Sequence, residues 1–369
     1  MSLFLGCSDG SLDELEASDT SNLANTPIQY TECSTFNDGA CINPDEEVTL
    51  FNTYAYYTKS SDTWTLNIHG WIYEPDYSIV TRNVFVKLIE AVVGTITTEP
   101  NFLDERIAPF LVDNEGDEKI IVSMVNETFT LKESESTGLF TGEITLSNEQ
   151  VKAFSSNNQL TYTLIMPKED KRVFRGTVSL IEPNGTMIVS DIDDTIKVTE
   201  VYLGNTKIID NTFLQTPKVA QGMQTLYQKL QNENDNTTFH YVSGSPWQLY
   251  TFVQDFVTNN TFANGTFHLK ELRLNPLSST LYNFLDTDST YVHKIDTITQ
   301  MMKDFPAKQF ILIGDSGEKD VEVYGDLYKE YASQIKAIYI RNVTDETQNN
   351  ARMKSAYGQY ASSVILIEP

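Results

Sequence analysis

Along this chain the spacing of hydrophobic and polar residues changes once, near Pro183. Before that point, from about residue 46, short runs alternate with a period of two. In "WTLNIHGWIY", Trp64, Leu66 and Ile68 alternate with Thr65, Asn67 and His69, as a strand with one buried face requires. "KIIVSMV", "ETFTL", "GLFTGEITL", "LTYTLIM" and "RVFRGTVSLI" are further strand-like runs, separated by Gly, Asn and Asp. One helix interrupts them, because Phe85, Leu88, Ile89 and Val92 fall at i, i+3, i+4 and i+7. Short strands at this spacing predict a mainly β, sandwich-like region over residues 45–182. It carries no catalytic constellation and reads as a structural or docking module.

After Pro183 short apolar runs alternate with amphipathic stretches. "TMIVS", "TFHYVS", "QFILIG", "IKAIYIR" and "SVILIE" read as strands. "KVAQGMQTLYQKL", "WQLYTFVQDFV", "HKIDTITQMMKDF" and "EKDVEVYGDLYKEY" read as the helices between them, with Trp247, Tyr250, Val253 and Val257 on one face. The prediction for 183–369 is α/β: a Rossmann-like parallel sheet with helices on both faces. Residues 1–44, rich in Ser, Thr, Asp, Asn and Glu, read as a flexible leader or tether.

Composition narrows the function classes. The net charge of −25 over 369 residues repels nucleic acid, so nucleic-acid binding is not expected. No apolar run reaches the ~18 residues of a transmembrane segment. The three cysteines are Cys7, Cys33 and Cys41. "FLGC" looks like a bacterial lipobox whose signal has been removed, and a Cys33–Cys41 pair would close a short loop. The expectation is an exported lipoprotein; the alternative is a cytoplasmic protein peripheral to membranes.

The informative chemistry falls where predicted strands end, which is where open α/β sheets form their sites. "MIVSDIDDTIK" sets Asp191, Asp193, Asp194 and Thr195 after an apolar run. Ser243 and Gly244 follow the next strand in "YVSGSPW", Lys294 opens a helix in "VHKID", and "GDSGEKD" places Asp315 and Asp320 after another strand. If these strands are parallel neighbours, carboxylates, a hydroxyl and an ammonium converge. Such a set suits phosphoryl transfer through a carboxylate, which needs Mg²⁺ and a fixed cation to relieve repulsion between two anions. Asp191 would be nucleophile and ligand, Asp193 acid and base as well as ligand, and Asp315 and Asp320 the remaining ligands. Ser243 and Lys294 would hold phosphoryl oxygens. Asp194 reads as a cap, Ser245 as a helix start, His240 as a core residue and His293 as helix surface. Lys197, Lys270, Arg273 and Arg341 read as solvated charges forming a positive rim.

In this order the motifs resemble the haloacid dehalogenase superfamily. "SDIDDTIK", "YVSGSPWQLY", "GTFHLKELRL", "HKID", "ILIGDSGEKD" and "IYIRNVT" resemble the catalytic domain of the actin-patch-type phosphatidate phosphatases. The resemblance is strong over residues 183 to 345. It implies a haloacid dehalogenase-like fold and Mg²⁺-dependent release of phosphate from phosphatidate to give diacylglycerol. It assigns Asp191 as nucleophile, Asp193 as acid/base, Ser243 and Lys294 as phosphate holders, and Asp315 and Asp320 as the acidic pair; Thr195 and Gly244 are further candidates for contact with substrate. Gly244 departs from a more usual Asn, and Val321 from a more usual Pro. The intervals 196–237 and 244–293 each hold a crossover and leave room for a flap but not a full lid, hence a minimal cap. The expected substrate is a lipid phosphate at a membrane surface. The alternatives are a phosphoprotein or soluble phosphate ester, or an exported binding or adhesion protein with a non-catalytic phosphatase-like domain.

Overall fold

A computed structural model describes residues 42–75, 78–272 and 285–369. Cys7, Cys33, Cys41 and Arg273 lie outside the described residues. The first part is mainly β. Its strands are β1 (Glu47–Leu50), β2 (Thr53–Thr58), β3 (Thr63–Glu74), β4 (Asp113–Asn114), β5 (Ile121–Met124), β6 (Glu127–Thr130), β7 (Leu139–Ser147), β8 (Gln159–Leu164) and β9 (Arg175–Ile181). They form one hydrogen-bonded sheet, ordered β1-β3-β2-β9-β8-β5-β6, with β4 and β7 also on β3. The strand β3 is long enough to pair with β7 along Thr63–Trp71 while β2 and β1 share its other edge. Its burial alternates as the period of two predicts: Trp64, Leu66 and Ile68 are buried and Thr65, Asn67 and His69 less so. The helix Ile79–Val93 includes the predicted apolar stripe, and Ser78 caps it by accepting from the Thr81 N–H.

The second part holds β10 (Thr186–Ser190), the short antiparallel pair β11 (Lys197–Val198) and β12 (Lys218–Val219), and then β13 (Thr238–Pro246), β14 (Gly265–Lys270), β15 (Gln309–Asp315), β16 (Ile335–Arg341) and β17 (Ile365–Ile367). Six of these form a sheet ordered β14-β13-β10-β15-β16-β17, and every neighbouring pair in it is parallel. Helices Met223–Glu233, Tyr250–Asn259, Thr287–Asp304, Asp320–Tyr331 and Ala351–Tyr357 connect them. The two faces are covered by different cores. Ile188, Tyr241 and Ile313 pack with Tyr227, Val253 and Phe256. Met187, Val189 and Leu312 pack with Met301, Phe305 and Tyr324. Burial on both faces explains why these strands read as apolar runs with little alternation.

Two local expectations change. Lys294 lies inside the helix Thr287–Asp304, which starts at the Asp286 cap, so it does not open the helix. The stretch expected as a helix from residue 218 begins as β12 and becomes helical at Met223.

The β-rich part packs on the parallel sheet and its flap. Phe51 stacks on Trp247 at 4.1 Å between ring centres, and Tyr54 Oη donates to Asp304 at 2.8 Å. Phe85 and Phe110 meet Phe213 of the segment between β11 and β12. From the same side, Arg106 donates to the carbonyls of Thr212 (2.9 Å) and Gln215 (2.7 Å). This helical insertion of the β-rich part thus props the flap over the carboxyl ends of the parallel strands.

Candidate active site

The strand β10 lies between β13 and β15, so the segments that follow these three strands meet. Asp191 N donates to the Ile313 carbonyl at 2.8 Å, which carries the pairing one residue past β10. Gly314 permits the next contact, because a Cβ there would lie 2.3 Å from Asp320 Oδ2. In that space Asp320 Oδ2 accepts from the Asp315 N–H at 3.1 Å. Asp191, Asp315 and Asp320, all buried, thereby bring carboxylate oxygens within 4.8 Å of one another.

Lys294 reaches this group from its helix. Its Nζ lies 2.9 Å from Asp191 Oδ1, 2.5 Å from Asp320 Oδ1 and 3.2 Å from Glu318 Oε2. The Asp191 pair is ionic without hydrogen-bond alignment: among the described residues neither Asp191 oxygen has a hydrogen-bond partner, nor does Asp315 Oδ2. Asp315 Oδ1 accepts from the Gly317 and Glu318 N–H groups. Burial pushes Asp191 well above the ordinary carboxylate range, against the pull of Lys294. Burial with Asp320 and Glu318 nearby does the same to Asp315, and Glu318 is pushed up to about 7 by burial. Lys294 is held above its ordinary value, since Asp191, Asp320 and Glu318 outweigh the burial that would lower it.

A second node forms around Asp193. Its Oδ1 lies 2.6 Å from Lys197 Nζ and accepts from Thr199 Oγ1 at 2.6 Å. Its Oδ2 accepts from Ser245 Oγ at 2.9 Å and from Ser243 Oγ at 3.3 Å. Burial opposes ionisation, yet Lys197 and the hydroxyls more than offset it and hold Asp193 below the ordinary carboxylate range. Its side chain is thus turned to Lys197 and the hydroxyls, and the three-carboxylate group forms without it. Asp194, at φ 55°, accepts from the N–H groups of Thr199, Glu200 and Val201, the capping its position predicted. Thr195 is buried, with no partner for Oγ1 among the described residues.

The sequence reading is corrected at three cations. Lys197, Lys270 and Arg341 are only 3–6 % exposed. Lys197 is paired with Asp193, Lys270 donates to the Asp286 carbonyl and Arg341 to the Asp194 carbonyl. Buried cations need such partners, so they are built into the loops and make no solvated rim. Ser245 also changes its reading, since it faces Asp193. Glu318 was overlooked, although it stands inside "GDSGEKD". His240 is a satisfied core histidine bonded to Thr266 and Thr238. His293 meets the His268 carbonyl.

The mouth of the site is lined by Asp193, Thr199, Gly244, Ser245, Thr290 and Glu318, with a volume of about 50 Å³. That is far below the ~300–1,000 Å³ of sites that enclose a whole small ligand. Thr290 occupies the space beside Gly244, where a Cβ would lie 2.7 Å from the threonine Oγ1. The donor set fits a divalent cation: oxygen-only ligands, orphaned oxygens on Asp191 and Asp315, and more carboxylates than Lys294 can neutralise.

This geometry lies within a segment with known relatives. The family profile described as "Phosphatidate phosphatase APP1, catalytic domain" matches residues 186–342. Those residues are similar to an APP1-type catalytic domain. Phosphatidate phosphatase APP1 of Saccharomyces cerevisiae is 37% identical over 163 residues, 44% of this chain and 26% of that protein. An uncharacterised protein of Schizosaccharomyces pombe is 27% identical over 199 residues, 52% of this chain and 32% of that protein. The chain thus spans about a quarter to a third of the length of these relatives. Likeness to solved structures is slight: a Parabacteroides merdae β-glucuronidase aligns over 87% of this chain and 40% of its own at 8% identity, with a TM-score of 0.25. No helix among the described residues is long and apolar enough to cross a membrane.

Proposed function

We propose that this protein is a Mg²⁺-dependent phosphomonoester hydrolase working through an aspartyl-phosphate, with phosphatidate or a closely related lipid phosphate as substrate. The observation that carries the reading is Asp191: a buried carboxylate with an ammonium at one oxygen and hydrogen bonds at neither, grouped with Asp315 and Asp320. The S. cerevisiae relative's name supports the choice of substrate.

Asp191, Asp315 and Asp320 would hold the cation, which when bound lowers the repulsion between an anionic nucleophile and an anionic phosphate. An Asp191 oxygen bonds to phosphorus as the bond to the alcohol oxygen breaks, the electron pair leaving with that oxygen. Asp193 supplies the proton that lets an alcohol leave. In the free protein Asp193 is held ionised; as the anionic substrate arrives it takes up a proton from solvent, and that proton passes to the departing alcohol oxygen. In the second step Asp193 takes a proton from water, whose oxygen bonds to phosphorus and frees Asp191 and phosphate. Lys294, held charged, steadies phosphoryl oxygens together with Ser243. Ser245, Thr199 and Lys197 fix the Asp193 carboxylate between the two steps.

A haloacid dehalogenase-like fold with minimal cap over 183–369 and an accessory role for 45–182 belong to the same proposal, as does export with Cys7 lipidated. Docking on a membrane surface would present the phosphate to the narrow mouth. The test is Asp191→Asn, which keeps the shape and removes the nucleophile. Phosphate release from phosphatidate in mixed micelles with Mg²⁺ should fall about 10⁴-fold or more; retained release would refute the mechanism.

A further inference from the structure

Beside the reaction site lies a second, larger cavity of about 430 Å³, within the ~300–1,000 Å³ of sites for small ligands. Its walls come from both parts of the chain: Phe102, Arg106 and Pro109 from the helical insertion, and Leu249, Phe252 and Phe256 from the helix after β13. The Arg106 guanidinium lies against the rings of Phe102 and Phe252, 3.9 and 4.6 Å from their centres. Its wall thus combines aromatic and aliphatic side chains with one buried cation, and Glu105, Asp255, Asn259 and Asn260 also line it.

The cavity and the mouth share no lining residue, but two short connections link them. Arg106 donates to the Thr212 carbonyl, and Thr212 lines the mouth beside Asp193. On the opposite side Ser245 of the mouth is followed within one turn by Gln248 and Leu249 of the cavity. Gln248 is 5% exposed, and among the described residues its Oε1 accepts no hydrogen bond. A buried acceptor left without a donor is unfavourable, so a ligand hydroxyl arriving there gains a partner.

We infer that this cavity holds one aliphatic chain of the substrate while the phosphate occupies the mouth, with Gln248 accepting from a hydroxyl on the connecting glycerol. The inference rests on the lipid-phosphate reading above and adds to it a selectivity: a single-chain glycerol phosphate with a free hydroxyl, such as lysophosphatidate, is preferred to short phosphomonoesters and to phosphatidate, whose glycerol hydroxyls are both esterified. The narrow mouth requires that the rest of the substrate go elsewhere, and this cavity adjoins it.

The experiment is calorimetric binding of n-alkyl phosphonates, from about four to about twelve carbons and below micelle-forming concentrations, to the full chain with Mg²⁺. Affinity should rise about two- to fourfold per added methylene until the cavity is filled. Thr216 and Thr251 are exposed residues on its rim, so Thr216→Trp and Thr251→Trp should flatten that slope by filling the space. Gln248→Leu should abolish the advantage of a monoacylglycerol phosphonate over the alkyl phosphonate of equal length. A wild-type slope of zero, or a slope unchanged in both tryptophan variants, overturns the inference. Turnover of phosphatidate and lysophosphatidate in mixed micelles with Mg²⁺ by the wild type, measured separately, reads the hydrolase proposal: a chain-length slope without turnover refutes only that proposal, and turnover without a slope refutes only the cavity.

Discussion

Asp191, Asp315 and Asp320 bring oxygens within 4.8 Å of one another, and Glu46, Glu115 and Glu118 in the β-rich part do the same. The surroundings of the two groups differ. The glutamates are partly satisfied locally, with Glu46 accepting from the Asn43 N–H and side-chain amide. Burial raises all three, and Glu118 is pushed up to about 8 by burial and then by Glu46 and Glu115. A raised proton affinity eases the repulsion within that cluster. The aspartates stand at the ends of neighbouring parallel strands, paired with a lysine and keeping orphaned oxygens. Spacing of carboxylates alone therefore does not distinguish a site from a neutralised cluster. A fixed cation and unspent lone pairs do.

The largest effect that would sharpen this contrast comes from Lys294→Met. It leaves Asp191, Asp320 and Glu318 without their shared ammonium, and removing one partner of a buried ion pair costs about 3–5 kcal/mol. Denaturant unfolding without added metal should show this loss. An unchanged midpoint would mean that Lys294 does not balance the group.

Next in size is the response to Mg²⁺. A cation bound only by the folded protein stabilises by about 2.7 kcal/mol at a hundred times its Kd. Thermal unfolding should move upward with Mg²⁺ in the wild type and in Glu118→Gln, and not in Asp315→Asn. Loss of the response in Glu118→Gln would place the cation in the wrong cluster.

The smallest effect is the pH dependence of the glutamate cluster. Glu118 has an ordinary value of 4.5 and a folded value of about 8. Between these the folded protein holds a proton that the unfolded chain has released, so its contribution is complete below pH 4.5 and falls as pH rises towards 8. After solvent screening the change should be about 1–2 kcal/mol. Glu118→Gln should flatten the wild-type decline in denaturant titrations at pH 5 and 8. Equal slopes would show that Glu118 is not carrying the proton.

Much of the parallel sheet was legible because its strands are buried on both faces: "TMIVS" and "IKAIYIR" coincide with β10 and β16 to the residue. The strand β14 was not singled out, since "GTFHLK" carries His and Lys that read as surface until their partners are known. Lys197 and Ser245 were misread for the same reason. Asp193, which binds both, stands four residues from Lys197 and 52 from Ser245, and the residues around a paired lysine look the same as those around a solvated one.

The order of residue types is written in the primary structure: apolar runs end in aspartate, serine and a glycine-rich acidic loop, and that order already implies a phosphate-handling chemistry. Which carboxylates meet, which ammonium lies between them, and which helix of the β-rich part props the flap were decided by tertiary packing. The physical reason is that charge tolerates burial only with partners, and the partners here are brought together by strand order and core packing between distant segments, which no local pattern encodes.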